Sequence, residues 1–227
     1  MPAASLEQLD ALGRYALKLV RPGQVLGLGT GRAASAFIRE LGASGIKVRG
    51  VATSNASADL GREVGIEVIG LGTVRAIDTD FDGADEVDSR LNLVKGYGGA
   101  LVREKIVAAS SAKFVVLVGE EKIVVRLGQR GSLPVEVVPF AEPLTTKRIA
   151  ALGLRPKVRQ MEGKAFITDN GNIILDCGLK PISNPAKLDR ELLAIPGVVG
   201  TGLFLGMAST VLVACADGSI RTLRPRR

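Results

Sequence analysis

The chain has 227 residues, 46% of them hydrophobic and 23% charged, with 30 Lys+Arg against 23 Asp+Glu for a net charge of +7. That length and balance suit a folded chain of one domain, or one plus a smaller partner, and exclude intrinsic disorder. There is no His, which excludes Ser–His and Cys–His nucleophile pairs and His-ligated metals and leaves Asp, Glu, Lys or Tyr for proton transfer near neutral pH.

Leu6, Leu9, Leu12, Ala16, Leu19 and Val20 recur at near-helical spacing behind a Ser5–Gln8 capping pair, and Pro22-Gly23 ends that helix. The opening MPAASLEQLD has no signal-peptide core, and no run of roughly 18 apolar residues exists for a membrane span. Val25 to Gly29 reads as a buried strand entering a glycine turn. Ala33 to Leu41 reads as helix, Val48 to Ala52 as strand, Ala58 to Val64 as helix and Glu67 to Leu71 as strand. A helix over about Ala100 to Ala109 precedes the apolar strand Phe114 to Val118. This alternation predicts an α/β fold, a Rossmann-like, mostly parallel sheet flanked by helices.

The pattern changes near Gly131. SLPVEVVPF reads as a strand interrupted by prolines and PLTTKRIAALGL as a helix. Phe166 to Thr168 and Ile173 to Leu175 flank Asp169-Asn170-Gly171-Asn172, a hairpin turn because Asn and Gly tolerate positive φ. Thr210 to Ala214 and Ser219 to Leu223 flank Asp217-Gly218 as a second hairpin. The expected organisation is a Rossmann-like catalytic domain over 1–130, a smaller α+β domain over 131–204 and a C-terminal hairpin over 205–227 returning to the first. Cys177 and Cys215 form no CxxC pair and read as free, buried thiols of a cytoplasmic protein. Four arginines, Arg221, Arg224, Arg226 and Arg227, fall in the last seven residues, and without them the charge drops to +3. With two Tyr, six Phe and no Trp, no base-stacking basic surface is visible, so nucleic acid is not an expected partner.

Three segments could carry chemistry. Gly27-Leu28-Gly29-Thr30-Gly31-Arg32-Ala33 joins a strand to a helix, where backbone N–H groups and the helix N-terminus can face an anion. It lacks the third glycine of a dinucleotide fingerprint, and a tight turn needing glycine for steric reasons explains it equally well. Residues 77–88, IDTDFDGADEVD, hold six acids. Their start matches a calcium loop, but Arg90 and Leu91 stand where the bidentate Glu is required, and alone the stretch reads as a solvated acidic loop with a helix N-cap. In Val94-Lys95-Gly96-Tyr97-Gly98-Gly99, a lysine beside glycines puts charge and amides where an oxyanion could sit. Glu104 follows between Arg103 and Lys105. It is either part of an exposed charged stripe or a base pointing back into a glycine-lined cleft.

Taken together, GLGTG at 27–31, ATSN at 52–55, DGADEVD at 82–88, KGYGGALVREKIVA at 95–108, LPVEVVPF at 133–140, TDNGNIILD at 168–176 and PGVVGTGLF at 196–204 resemble the type A ribose-5-phosphate isomerases, in order along nearly the whole chain. The resemblance implies interconversion of ribose 5-phosphate and ribulose 5-phosphate through an enediolate, with no metal and no organic cofactor. It implies Glu104 as the base between C2 and C1, and Asp82, Asp85 and Lys95 for ring opening and the O1/O2 protons. By motif position it implies a phosphate loop of Thr30, Gly31, Arg32 and Ala33. Further substrate contacts fall on Gly83, Ala84, Gly96, Tyr97, Gly98 and Lys122. A homodimer or tetramer in the cytoplasm is expected, with no membrane. The alternatives are a non-enzymatic sugar-phosphate-binding regulatory domain, which would need a helix-turn-helix for which there is no room before Gly27, and a CoA transferase-like enzyme. Two positions depart from the family pattern. Arg32 and Ala33 replace hydroxyl residues of the phosphate loop, where Arg32 could supply a charge-assisted contact instead, and Tyr97 stands where the family usually has glycine.

Overall fold

The computed structural model describes residues 2–225; Arg226 and Arg227 lie outside the described residues. Helix α1 (Leu6–Ala16) begins at the expected capping box, with Ser5 and Gln8 each accepting the other's backbone N–H. Then come β1 (Val25–Leu28), α2 (Arg32–Ser44), β2 (Arg49–Ala52), α3 (Asn55–Glu63), β3 (Glu67–Val68), β4 (Thr79–Asp82), β5 (Glu86–Val87) and β6 (Leu93–Val94). Next are α4 (Leu101–Ala109), β7 (Phe114–Gly119), β8 (Ser132–Val137), α5 (Glu142–Ala151), β9 (Arg155–Val158), β10 (Gln160–Met161), β11 (Lys164–Ala165) and β12 (Ile173–Gly178). The described chain closes with α6 (Pro185–Leu193), β13 (Val198–Thr201), β14 (Leu203–Phe204), β15 (Thr210–Ala214) and β16 (Ile220–Leu223).

A seven-stranded sheet runs β16-β15-β7-β4-β1-β2-β3, parallel throughout except for the β15–β16 hairpin. The chain steps from β1 outward to β3 and then returns to place β4 on the other side of β1. Strand order therefore reverses between β1 and β4, and the loops leaving their carboxyl ends splay apart to form a crevice. One sheet face packs under α1 and α2, where Leu12, Phe37, Ile38, Leu26, Leu28 and Phe81 are fully enclosed and the Phe37 and Phe81 rings stack 4.3 Å apart. The other face meets α4 through Val25, Val51, Ile77 and Val107.

A four-stranded antiparallel sheet, β13-β8-β12-β9, carries a second core with Ile149 of α5 and Leu192 of α6. The small sheet β14-β6-β5 stitches the two cores together. Its adjacent residues point to opposite sides, so Val94 and Leu203 enter the second core while Leu93 and Phe204 pack under the parallel sheet. Cys177 and Cys215 are both buried and free.

The acidic stretch 77–88 departs most from its sequence reading as a solvated loop. Thr79 to Asp82 form an interior strand, and Asp80, Asp82 and Glu86 are fully buried. Each acid has a separate destination: Asp78 accepts from Val25 N, Glu86 from Gly128 N and Arg130 N, and Asp88 from Arg90 N and Asn92 N. The expected strand Phe166 to Thr168 contracts to one bridge, Ile167 with Ile173, because the turn is gathered by side chains instead. Glu136 Oε1 accepts from Thr168 Oγ1, Asn170 Nδ2 and Asn172 Nδ2.

Candidate active site

Alternation along β4 sends Phe81 to the α1/α2 side and Asp80 and Asp82 to the α4 side. Gly27 of the neighbouring β1 and Gly29 just after it make room for them: a Cβ on Gly27 would lie 2.2 Å from Asp80 Oδ1, and one on Gly29 would lie 2.4 Å from Asp82 Oδ1. The glycine pattern thus serves buried carboxylates as well as a turn. Asp82 Oδ1 accepts from Thr30 N at 2.9 Å and Gly83 N at 2.6 Å, which ties the loops after β1 and β4 together.

Lys95, 2% exposed, follows β6 and reaches across the crevice floor. Its ammonium donates to Gly83 O at 2.6 Å and lies 3.1 Å from Asp82 Oδ2 and 3.4 Å from Glu104 Oε2. Both carboxylate oxygens meet it by charge proximity rather than as aligned hydrogen bonds. Glu104 sits in the first turn of α4, 3% exposed, which overturns the reading of an exposed charged stripe. The three consecutive charges diverge: Arg103 reaches Asn55 and the turn at Asp169–Asn170, Lys105 donates to Thr201 O, and Glu104 turns inward.

One buried ammonium faces three buried carboxyl groups, Asp80, Asp82 and Glu104, so the cluster cannot hold all of them ionised at low cost. Burial, reinforced by the charges of Asp82 and Asp85, pushes Glu104 up to about 8 against the pull of Lys95. Burial also raises Asp82, opposed by Lys95 and the two amides, and raises Asp80 further still, with Asp82 beside it. For Lys95, burial pulls downward, but Asp82, Glu104 and Asp85 together outweigh it and hold its pKa above the usual lysine value. The ammonium is therefore the firmest charge in the site, and burial opposes ionisation of the carboxyls around it.

These groups open onto a cleft of about 220 Å3 lined by Thr30, Gly31, Arg32, Ala33, Gly83, Ala84, Asp85, Lys95, Gly96, Gly98, Glu104 and Lys122. Of the residues expected from the sequence, two do not line it: Asp82, which is fully buried, and Tyr97. Its phenol donates to Ser132 O, its N–H donates to Asp85 Oδ2, and burial with Asp85 nearby raises the phenol to about 12. The Thr30 hydroxyl is engaged with Thr53 and Ser54, so what Thr30 offers the cleft is backbone. Helix α2 opens at Gly31 with no side chain capping its first amides, an anion-attracting end. Arg32 Nη2 donates to Ala4 O at 3.0 Å, and Ala3 and Ala4 join the cleft wall beside it. Among the described residues, no cluster of three or more His, Cys, Asp or Glu side chains could hold a metal ion.

Residues 49–218 match the family model for ribose 5-phosphate isomerase A (phosphoriboisomerase A). The chain belongs to the ribose-5-phosphate isomerase A family. Among relatives of that name, one from Roseiflexus sp. (strain RS-1) is 47% identical over 93% of each chain, and one from Roseiflexus castenholzii is 49% identical over 90% of each. A solved D-ribose-5-phosphate isomerase in complex with phospho-erythronic acid superposes with a TM-score of 0.93 at 37% identity, covering 99% of this chain and 100% of that one. The reaction of this family of enzymes is the aldose–ketose isomerisation of ribose 5-phosphate, and the sugar phosphate is its substrate. Among the described residues, no helix is long and apolar enough to cross a membrane.

The cleft and its surroundings also contain parts to which the sequence assigned no role. Asp80 stands behind Asp82, Thr53 and Ser54 hold Thr30, and Arg159 joins Asp176 to the Gly96–Tyr97 backbone. ATSN and TDNGNIILD pointed to Thr53, Ser54 and Asp176 as motif members without a role. Nothing in the local pattern around Arg159 pointed to the cleft.

Proposed function

We propose that in this isomerase Glu104 carries the proton between C2 and C1, that Lys95 and the Gly96–Gly98 backbone stabilise the enediolate, and that Asp82 and Asp85 serve the sugar oxygens. The carrying observation is a buried carboxyl, pushed up to about 8 chiefly by burial, on the cleft floor 3.4 Å from a buried ammonium. A base that gives back the proton it takes works best with a pKa near the operating pH.

In the open-chain aldose, ionised Glu104 removes the C2 proton as the C1 carbonyl becomes the enediolate oxygen. Lys95, with its three donors, holds that oxygen beside O2. Asp82 moves the O2 proton to O1, and protonated Glu104 returns its proton to C1, leaving the ketone at C2. A base of this kind contributes roughly 10²–10⁴-fold, and each fixed donor to the developing charge adds about 3–4 kcal/mol. Asp85, at the rim and bonded to Tyr97 N, serves the ring oxygen when the furanose opens.

The phosphate end lies at the uncapped start of α2, where Arg32 and Lys122 are among the residues that line the cleft. A phosphorylated four-carbon acid such as the one bound to the solved relative would present its phosphate there and its carboxylate, a planar stand-in for the enediolate, to Lys95. The division into a catalytic unit of 1–130 with the 205–227 hairpin and a smaller unit of 131–204 belongs to the same reading, as do a homo-oligomeric assembly and a cytoplasmic setting. Turnover of ribose 5-phosphate in deuterated water tests the base. The parent should place solvent deuterium at the migrating position and Glu104→Gln should not; full turnover by Glu104→Gln would remove Glu104 from the mechanism.

A further inference from the structure

Arg159 follows β9 on the antiparallel sheet, outside the cleft lining, yet its guanidinium ends on the backbone of the cleft's glycine loop. Nε and Nη2 form a two-pronged pair with Asp176 on β12, at 2.9 and 2.6 Å. Nη1 is shared between Gly96 O at 2.9 Å and Tyr97 O at 3.1 Å. The Arg159 side chain is 14% exposed, and the Phe166 ring lies 6.0 Å from the guanidinium carbon. The same ring lies against Gly99, where a Cβ would come within 2.5 Å of it. The loop is therefore gripped from one side by a fork and a ring, both from the antiparallel sheet and its following turn.

In a trans peptide unit the C=O of one residue and the N–H of the next point in opposite directions. Fixing Gly96 O therefore fixes Tyr97 N–H, which donates to Asp85 Oδ2. Fixing Tyr97 O likewise fixes Gly98 N–H on the side away from Arg159, and Gly98 lines the cleft. We infer that Arg159, held by Asp176, is a positioning residue for the isomerisation: it grips two loop carbonyls so that the Gly98 amide faces the substrate oxygens and Asp85 is held at the rim. The inference rests on the glycine loop and Lys95 forming the enediolate-binding side of the proposed site.

Arg159→Met keeps the stem and removes the fork, and steady-state kinetics with ribose 5-phosphate read the result beside Glu104→Gln. A loose donor misplaced by about 1 Å costs up to roughly 100-fold, so kcat should fall roughly 10- to 100-fold. The phosphate end is gripped elsewhere, so KM should stay within about threefold. Arg159→Lys, which offers a point charge but no fork, should recover part of kcat. A kcat per folded molecule within about twofold of the parent, or a loss carried by KM alone, overturns the inference. If Arg159→Met does not fold, Asp176→Asn, which loosens the fork and leaves the carbonyl donors, is read by the same kcat and KM criteria. Full activity in Glu104→Gln would defeat the site reading itself, whereas an inactive Glu104→Gln beside an active Arg159→Met would defeat only the role of Arg159.

Discussion

Glu104 and Glu136 are both buried glutamates, 3% and 0% exposed, and they are furnished in opposite ways. Glu136 Oε1 collects three neutral donors from Thr168, Asn170 and Asn172 and so shapes the turn between the bridge at Ile167 and β12. Glu104 instead faces a cation, Lys95, which it shares with Asp82 and Gly83 O. One oxygen of Glu136 is committed to fixed neutral donors of a turn, whereas Glu104 faces a shared ammonium and an open cleft. Oε2 of each glutamate is buried without a hydrogen-bond partner. It is therefore the kind of neighbour, a turn's neutral donors against an ammonium at a cleft, that separates the two where burial does not.

Swapping charge for shape at each glutamate should break the molecule in different places. Glu104→Gln should lose roughly 10²–10⁴-fold in kcat with no fall in thermal midpoint, since the neutral amide removes a charge that burial opposes. Glu136→Ala should do the reverse. Three donors lose their acceptor, at about 1–3 kcal/mol for a buried group left unmatched, and urea unfolding should show the loss while folded enzyme retains most of its kcat. A variant at Glu136 that lost turnover without losing stability would erase the distinction.

Asp80 sharpens the contrast, because neither of its oxygens has a hydrogen-bond partner and it lies fully buried against Asp82. Burial first, and Asp82 next, hold its pKa well above the ordinary carboxylate value of 3.8. Below the unfolded pKa the group is neutral in both states and costs nothing through ionisation. As pH rises past that value the unfolded chain releases the proton while the folded one retains it, so stability declines until the folded pKa is reached. Asp80→Asn should abolish that decline. Its advantage over the parent should be near zero at about pH 4 and grow toward about 1–3 kcal/mol at alkaline pH. A constant difference across that range would mean that Asp80 is ionised in the folded protein.

What could be read from the sequence was what is local. The glycine turn after β1, the Ser5–Gln8 cap and the parallel alternation each have a period or a spacing that neighbouring residues reveal. Glu104 did not, because an Arg-Glu-Lys run looks the same whether its glutamate faces solvent or a cleft; only the divergence of Arg103 and Lys105 onto other elements turns it inward. The strand of β4 was hidden by its aspartates, which mimic a loop until Gly27 and Gly29 are seen beneath them. Strand β9, with its alternating exposure and Pro156, and helix α6 carried too weak an apolar signal to stand out. Arg159 is separated from Gly96 by 63 positions, a pairing that only the packing of β9 against the loop creates.

Arg103 offers the finest test, since it lies at the seam between the turn that Glu136 gathers and the helix that carries Glu104. Its guanidinium donates to Asn170 Oδ1 at 2.8 Å, Asp169 O at 2.6 Å and Asn55 Oδ1 at 3.0 Å, with Asp169 Oδ2 at 3.6 Å. It thereby ties α3 and α4 to the turn that Glu136 holds. The Arg103 and Asp169 side chains are 33% and 29% exposed, so solvent screens the ion pair and its share is about 0.2–1 kcal/mol. The three neutral acceptors are less sensitive to salt than that pair. Arg103→Ala should therefore lower stability by about 1 kcal/mol in urea unfolding at low salt, and most of the loss should survive in 1 M salt. A loss that vanished with salt would mean that the seam is held by charge alone and that the hydrogen bonds to the turn add nothing to the seating of the helix that carries Glu104.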